Sequence, residues 1–291
     1  MLRYGIVVNQ NSGSVTDNMR EDFVATLEAS KLDYHIEFVE GDAMLVAAQK
    51  LLKQGCTALV AGGGDGSLGQ IAGFAASKGI PFAALPFGTL NHFAKDIGLP
   101  SDHAALIQIL EVEKTKQIDF ATAGDKVFLN NSSIGIYPEL VFRREDREQR
   151  IGKWPAAALS LIDIIRKPLN CVSLTITHDG DELTVKTPFV FIGNNDYGFD
   201  SFGVNKRDKL DAGSLSLCIF RGQSRPLLIW HLLRSAFGRP SKGVLDCYSA
   251  KNIVIVSAQE ILDITFDGEI TQQQSPIHYS IHKKALTIIA P

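Results

Sequence analysis

The stretch Ala61-Gly62-Gly63-Gly64-Asp65-Gly66-Ser67 closes one apolar run and opens another, and its reading decides the fold. Leu59-Val60-Ala61 ahead of it reads as a buried strand, and Leu68–Ser77 behind it as a helix. Four glycines and one carboxylate lie between them. Glycines at a strand-to-helix turn let backbone N–H groups approach a phosphate that a Cβ would keep away. The N-terminus of the following helix favours an anion as well. A carboxylate opposes simple anion binding, so Asp65 requires a chemical reason, such as holding a metal ion or polarising a phosphoryl acceptor.

Outward from this turn, the first 120 or so residues alternate strand and helix signals. Tyr4–Val8, His35–Val39, Ala58–Ala61 and Pro81–Leu85 read as short apolar strands. Asp17–Ser30, Ala43–Gln54, Leu68–Ser77 and Asp102–Leu110 read as helices between and after them. This rhythm predicts a parallel sheet covered by helices, with ligands at the carboxyl ends of its strands. Beyond Phe120 the pattern changes to alternating strands with turn residues such as Asp179-Gly180 and Asp267-Gly268. Strands are expected at Lys126–Asn131, Cys171–Thr177, Leu183–Ile192, Ser214–Phe220, Asn252–Val256, Ile261–Phe266, Ile277–Ile281 and Ala285–Ile289. Helical stretches interrupt them at Lys153–Arg166 and Arg225–Phe237. The expected fold is an α/β N-terminal domain with a parallel sheet over residues 1–121, then a mainly antiparallel β domain over 122–291.

Composition narrows the function classes. With 45% hydrophobic and 21% charged residues, the 291-residue chain reads as a soluble globular protein. A net charge of −3 argues against a general nucleic-acid binder. The cysteines at 56, 171, 218 and 247 are widely spaced and read as small core residues of a reducing compartment, with no disulfide frame. No histidine stands in metal-ligand spacing. Met1-Leu2-Arg3-Tyr4 enters a strand-like run directly, and no apolar stretch reaches the roughly 18 residues of a membrane span. A cytoplasmic location is therefore expected.

Two more loops follow strands on the edge that carries the glycine turn. In Pro86-Phe87-Gly88-Thr89-Leu90-Asn91-His92-Phe93-Ala94, residues Gly88, Thr89 and Asn91 offer backbone and side-chain donors to a nucleotide. Asn9-Gln10-Asn11-Ser12-Gly13 follows the first strand and can do likewise. Three polar, glycine-containing loops at strand ends point to a shared ligand more than to three tight turns.

These segments resemble the diacylglycerol kinase catalytic family, whose pattern is N-P-x-S-G, then G-G-D-G-T, then P-x-G-T-x-N-D-F-A. Thr265-Phe266-Asp267-Gly268-Glu269 resembles the family's D-G-E turn, and Lys209-Leu210-Asp211-Ala212-Gly213 its L-D-D-G loop. The matches run in the family's order along essentially the whole chain. The resemblance implies an NAD kinase/diacylglycerol kinase-like nucleotide domain and a β-sandwich lipid domain, with the last strand, about 284–291, able to return to the first. It also implies ATP and Mg2+ as cofactors and a lipid hydroxyl as acceptor, of diacylglycerol-like or sphingoid type.

Carried over by residue, the resemblance gives Asn9, Asn11, Ser12, Gly13, Gly63, Gly64, Gly66 and Ser67 to the ATP phosphates. Gly88, Thr89 and Asn91 go to the nucleotide. Asp65 would position Mg2+ or support the reacting groups, and Asp211 would belong to a second, structural magnesium loop. Asp267 or Glu269 would be the general base that accepts the lipid hydroxyl proton. The bland alternative for Asp267-Gly268 is a plain hairpin turn. The chain departs from the pattern at several positions: Ser67 replaces Thr, Gly69-Gln70 replaces Asn-Glu, and His92 and Ala212 each replace Asp. Ser14 stands where some relatives carry Lys. Two alternatives stay open, an NAD kinase-like enzyme sharing the G-G-D-G turn and a nucleotide- or lipid-binding protein whose catalysis has decayed.

Two stretches suit a membrane surface. Arg143–Lys153 carries five basic and three acidic residues, and leads into apolar Trp154–Ile165. Ala212–Leu245 has no Asp or Glu, and surrounds an apolar centre at Pro226–Leu233 with arginines. Peripheral contact with an anionic bilayer, at the inner face of the membrane, is the expectation they raise. A second copy of the chain is a further candidate partner.

Overall fold

The computed structural model describes residues 2–135, 171–200, 203–207, 209–221 and 245–291. The helices expected at Lys153–Arg166 and Arg225–Phe237, and most of both membrane-surface stretches, lie outside them. The chain divides into two compact units. The first holds Met1–Phe120, Val127–Asn130 and His282–Pro291, and the second Ala121–Lys126 and Asn131–Ile281.

In the first unit the elements run β1 (Arg3–Asn9), α1 (Asp17–Glu28), β2 (Asp33–Val39), α2 (Met44–Lys53), β3 (Ala58–Gly63), α3 (Asp65–Lys78), β4 (Phe82–Pro86), α4 (His92–Asp96) and α5 (His103–Val112). Strands β2, β1, β3 and β4 lie side by side in that order, all parallel. The last strand, β18 (Ile277–Ile289), joins β4 in parallel through Ile288 opposite Phe82. Alternation along β1 fixes its two faces. Tyr4, Ile6 and Val8 pack in one cluster with Phe23 and Leu27 of α1 and Leu106, Ile107 and Leu110 of α5. Gly5 points the other way, where a Cβ would sit 3.0 Å from Leu51 of α2. Tyr4 buries its ring in that first core, yet its hydroxyl donates to the Leu110 carbonyl at 2.7 Å, which satisfies the polar tip.

Local chemistry sets the helix ends. Thr16 caps α1 by accepting from the Met19 N–H, and Asp102 caps α5 by accepting from Ala105 at 2.8 Å. Gly79 ends α3 in the left-handed region, at φ 65°. The helix expected from Leu68 begins three residues earlier, at Asp65. Its first turn carries glycine and polar residues in place of the apolar period, so periodicity starts late. The short α4 lies within a segment read as a loop, because five residues are too few to show a period.

The second unit is antiparallel throughout its registered pairings. Following β5 (Thr115–Ala123) and β6 (Lys126–Phe128) come β7 (Asn131–Gly135), β8 (Val172–His178), β9 (Asp181–Thr187) and β10 (Phe189–Asn194). Then come β11 (Tyr197–Asp200), β12 (Gly203–Arg207), β13 (Leu215–Phe220), β14 (Leu245–Ala250), β15 (Asn252–Ser257), β16 (Ile261–Phe266) and β17 (Glu269–Gln274). One sheet has the order β14-β13-β10-β7-β16-β17, and in another the N-terminal part of β18 pairs with β15, then β8 and β9. Ser132 Oγ and the Tyr279 hydroxyl, one from each sheet, meet at 3.1 Å in the buried interior.

Three expectations are corrected. Leu183–Ile192 is two strands in different sheets, because Pro188 has no N–H for a ladder. The Thr187 hydroxyl accepts from Phe189 N–H at 3.1 Å and donates to Phe220 O at 2.6 Å at this switch. Ile277–Ile281 and Ala285–Ile289 are one strand, β18, which passes Lys284 in a left-handed conformation (φ 51°). The Lys284 N–H there donates to Asp119 Oδ1 at 2.7 Å. Finally, Cys218 and Cys247 are joined in a disulfide. They stand directly opposite each other on β13 and β14, with Cα atoms 4.2 Å apart, a register that their separation of 29 residues did not reveal. Cys56 and Cys171 are free. Among the described residues, no helix is long and apolar enough to cross a membrane.

Candidate active site

The three loops that the sequence singles out come together in the first unit, at the carboxyl ends of neighbouring strands β1, β3 and β4. The loop after β1 turns on Asn9, whose Oδ1 accepts from the Asn11 N–H at 3.0 Å and whose backbone O accepts from Ser12 at 3.1 Å. Asn9 Nδ2 donates to Ser67 Oγ at 3.1 Å, which ties this loop to the first turn of α3. Ser14 ties it to the β4 loop. Its N–H donates to Phe87 O at 3.1 Å and its hydroxyl to Gly88 O at 3.3 Å.

Several glycines are required by these approaches. A Cβ on Gly13 would lie 2.6 Å from Thr89 Oγ1, and one on Gly62 2.8 Å from the Phe87 ring. One on Gly63 would lie 2.9 Å from Ser67 Cβ, and one on Gly88 would overlap the Gly64 backbone. The glycine turn therefore admits its neighbouring loops, whatever else it admits. Gly64 is the N-cap of α3 and supplies no side chain, so the cap itself leaves the N–H groups of that first turn uncovered. Such groups with the helix dipole behind them form a site for phosphate oxygens. Gly66 is half-buried and Ser67 buried in that turn, while Asn11, Gly13 and Thr89 are exposed.

Asp65 does not stand as an isolated charge. It is 7% exposed, and its two carboxylate oxygens accept the backbone N–H groups of His92 and Phe93, each at 3.0 Å. Asn91 is also committed. Its Oδ1 accepts from Gly88 N–H at 2.9 Å, and its Nδ2 lies 2.9 and 2.7 Å from the carbonyls of Pro86 and Gly88. A nucleotide would meet the Asn91-shaped loop, with Thr89 as its outward side chain.

The remaining expected residues lie in the second unit. Asp267-Gly268 is a two-residue hairpin turn between β16 and β17, with Phe266 opposite Glu269 and φ of 48° and 94°. The Asp267 N–H donates to Asn131 O at 2.9 Å, and its Oδ1 accepts from Asn131 N–H at 3.0 Å. Glu269 opens β17; the residue as a whole is exposed, while its carboxyl is partly desolvated by the protein atoms about it. Burial by the protein around it pushes its carboxyl above the usual carboxylate range, and the Lys126 ammonium pulls the other way. Asp211 is exposed in the loop before β13, where Gly213 N–H donates to Asn195 Oδ1 at 3.1 Å. Among the described residues, no three His, Cys, Asp or Glu side chains gather as a metal-binding set.

Sequence reasoning missed Ser14, Phe87 and Asn131 as partners in these arrangements. Phe87 and Asn131 act through backbone groups or ring packing, which residue type does not announce, and Ser14 adds its hydroxyl to its backbone N–H. The aromatic at Phe87, inside a polar loop, is the one signal that could have been followed.

Comparison with known proteins agrees with the geometry. The family model of the diacylglycerol kinase catalytic domain matches residues 3–123. A Pseudomonas putida protein named a probable lipid kinase, YegS-like, is 40% identical over 107 residues, 36% of this chain and 35% of that protein. Such matches span 35% to 41% of the length of the Pseudomonas relatives. The diacylglycerol kinase of Staphylococcus haemolyticus is 24% identical over 79% of this chain and 70% of its own. A solved diacylglycerol kinase structure from Bacillus anthracis covers 99% of this chain and 97% of its own, with a TM-score of 0.73 and 22% identity. The fold is thus that of the solved protein, and residues 3–123 match the family model of the diacylglycerol kinase catalytic domain.

Proposed function

We propose that this protein is an ATP-dependent kinase that phosphorylates a hydroxyl of a lipid, of diacylglycerol-like or sphingoid type. The observation that carries the proposal is the meeting of three polar loops at neighbouring strand ends over the α3 N-terminus, whose cap residue has no side chain. Phosphoryl transfer asks a protein mainly to position the reactants and to offset charge. Backbone N–H groups of Gly63–Ser67 and the Asn9–Gly13 loop would hold phosphate oxygens. Gly88, Thr89 and the Asn91-braced loop would border the nucleotide. Asp267 or Glu269 would take the proton of the attacking hydroxyl. Glu269, with its carboxyl raised, is suited to proton transfer nearer neutral pH.

Mg2+ would be carried in on the phosphates, since it keeps several waters and needs only one or two protein carboxylates. Asp65 and Asp211 are the carboxylates that the sequence offers for it, and both oxygens of Asp65 already accept backbone N–H groups. The lipid is a substrate that brings the protein to a bilayer, so peripheral contact with an anionic inner leaflet belongs to the same proposal.

The test is incubation with radiolabelled ATP and Mg2+ over total lipid extract, with NAD in a parallel reaction. Label in a chloroform-soluble product is the expected result. Label on NAD alone would replace the lipid acceptor, and nucleotide binding without any transfer would mark a binding protein.

A further inference from the structure

We propose that Asp65 is a positioning residue, a cap supplied to α4 from the first turn of α3, which holds the Pro86–Asn91 loop in the shape that receives the nucleotide. The inference rests on the kinase reading above for its ligand and on geometry for the rest. A helix of five residues has little stability of its own, and its first N–H groups need acceptors. The residue at its N-cap position, Asn91, does not supply one. Its backbone is left-handed, at φ 52°, and its side chain is turned back onto Pro86 and Gly88. Asp65 supplies two, one oxygen for His92 and one for Phe93.

The β4 loop is therefore fastened at both ends to the same turn. At its entry the Gly88 backbone rests on that of Gly64, and at its exit Asp65 holds α4. The arrangement also settles the conflict of charge at the glycine turn. The negative charge of Asp65 faces the positive end of α4, so it is matched there by a helix dipole. The N–H groups of α3 remain suited to phosphate oxygens although an acid begins the helix. No metal ion is required for this duty.

The experiment uses the whole chain and the variants Asp65→Asn and Asp65→Ser. Amide exchange of His92 and Phe93 is read by NMR without nucleotide, and ATP affinity by calorimetry, once in EDTA and once with Mg2+. In Asp65→Asn, exchange of the two amides should rise by about tenfold, and ATP affinity should fall by a similar factor in both buffers, as one weakened equilibrium would require. Asp65→Ser, which brings one hydroxyl on a shorter side chain, should lose at least as much protection as Asp65→Asn. Unchanged exchange in Asp65→Asn would overturn the proposal, as would an affinity loss confined to the Mg2+ samples, which is the mark of a metal ligand. Should Asp65→Asn fail to fold, the unmodified protein still decides, because open-loop exchange rates at His92 and Phe93 contradict a cap. Absence of ATP binding by the unmodified protein would instead refute the kinase reading, with the amide data still judging the cap.

Discussion

The second unit contains the same turn twice. Asp179-Gly180 joins β8 to β9, and Asp267-Gly268 joins β16 to β17. Both pairs have positive φ at both residues, 47° and 103° in one and 48° and 94° in the other. In both, the aspartate carboxylate accepts backbone N–H groups from a neighbouring strand: Lys251 and Asn252 at 3.0 and 3.1 Å for Asp179, Asn131 at 3.0 Å for Asp267. The dipeptide, the backbone and the hydrogen-bonding habit are thus the demands of a tight hairpin in a twisted sheet. None of them marks a catalytic residue. What separates the two turns is the sequel, Glu269 with Lys126 in its field on one side and Asp181, an ordinary strand residue, on the other.

Substitution at the aspartates breaks the comparison most sharply. Asn tolerates the left-handed backbone and keeps an oxygen for the strand N–H. Asp267→Asn should therefore keep the fold and, where Asp267 is the base, lower lipid phosphorylation by about 10²- to 10⁴-fold, the usual weight of a general base. Asp179→Asn should leave turnover within about twofold, the level of a surface change away from chemistry. Initial rates on the labelled lipid decide it, and equal activity in both variants would reduce Asp267-Gly268 to a plain turn.

Next in size is the pH profile. A base with a raised carboxyl must lose its proton before it works, so activity should climb with pH through a point above the ordinary carboxylate range. Glu269→Gln should remove that limb, and a limb that persists in the variant would take the role of base from Glu269. Lys126→Met removes the group that lowers the Glu269 value, so the limb should move to higher pH. A shift to lower pH would contradict the assignment.

The smallest effects concern the glycines, where the turns should behave alike. An added Cβ at Gly180 or Gly268 meets nothing within 4 Å, so Gly→Ala costs backbone strain alone. Each should lose about 1–2 kcal/mol in urea melts. Gly88→Ala is the contrast, since its Cβ runs into the Gly64 backbone. It should cost more than either and weaken ATP binding as well.

Much of the first unit is legible in the sequence alone. The strands at Tyr4, His35, Ala58 and Pro81 stand within a residue or two of their expected ends, because short apolar runs between amphipathic helices leave few arrangements. The second unit was less so. Strands β5, β11, β12, β14 and β17 answer to no expected strand, and β7 only at Asn131; β17 is largely exposed and carries little apolar alternation. Proline at 188 was overlooked as the point where the chain changes sheets. The Cys218–Cys247 pairing was not legible, since which sulfurs stand within bonding distance follows the register of β13 and β14 rather than spacing along the chain.

By itself the sequence determined the order of elements, the glycine turn and its two companion loops, and the family model that residues 3–123 match. Those properties follow from local periodicity, from backbone freedom at glycine and from residue types at short spacing, all of which are written along the chain. Only the tertiary structure decided what each polar group faces. It set Asp65 against two amides 27 and 28 residues away, spent Asn91 on its own loop, and placed Asp267 on Asn131 across 136 residues. Hydrogen bonds over such separations depend on strand order and register, and those are settled by the packing of the whole unit.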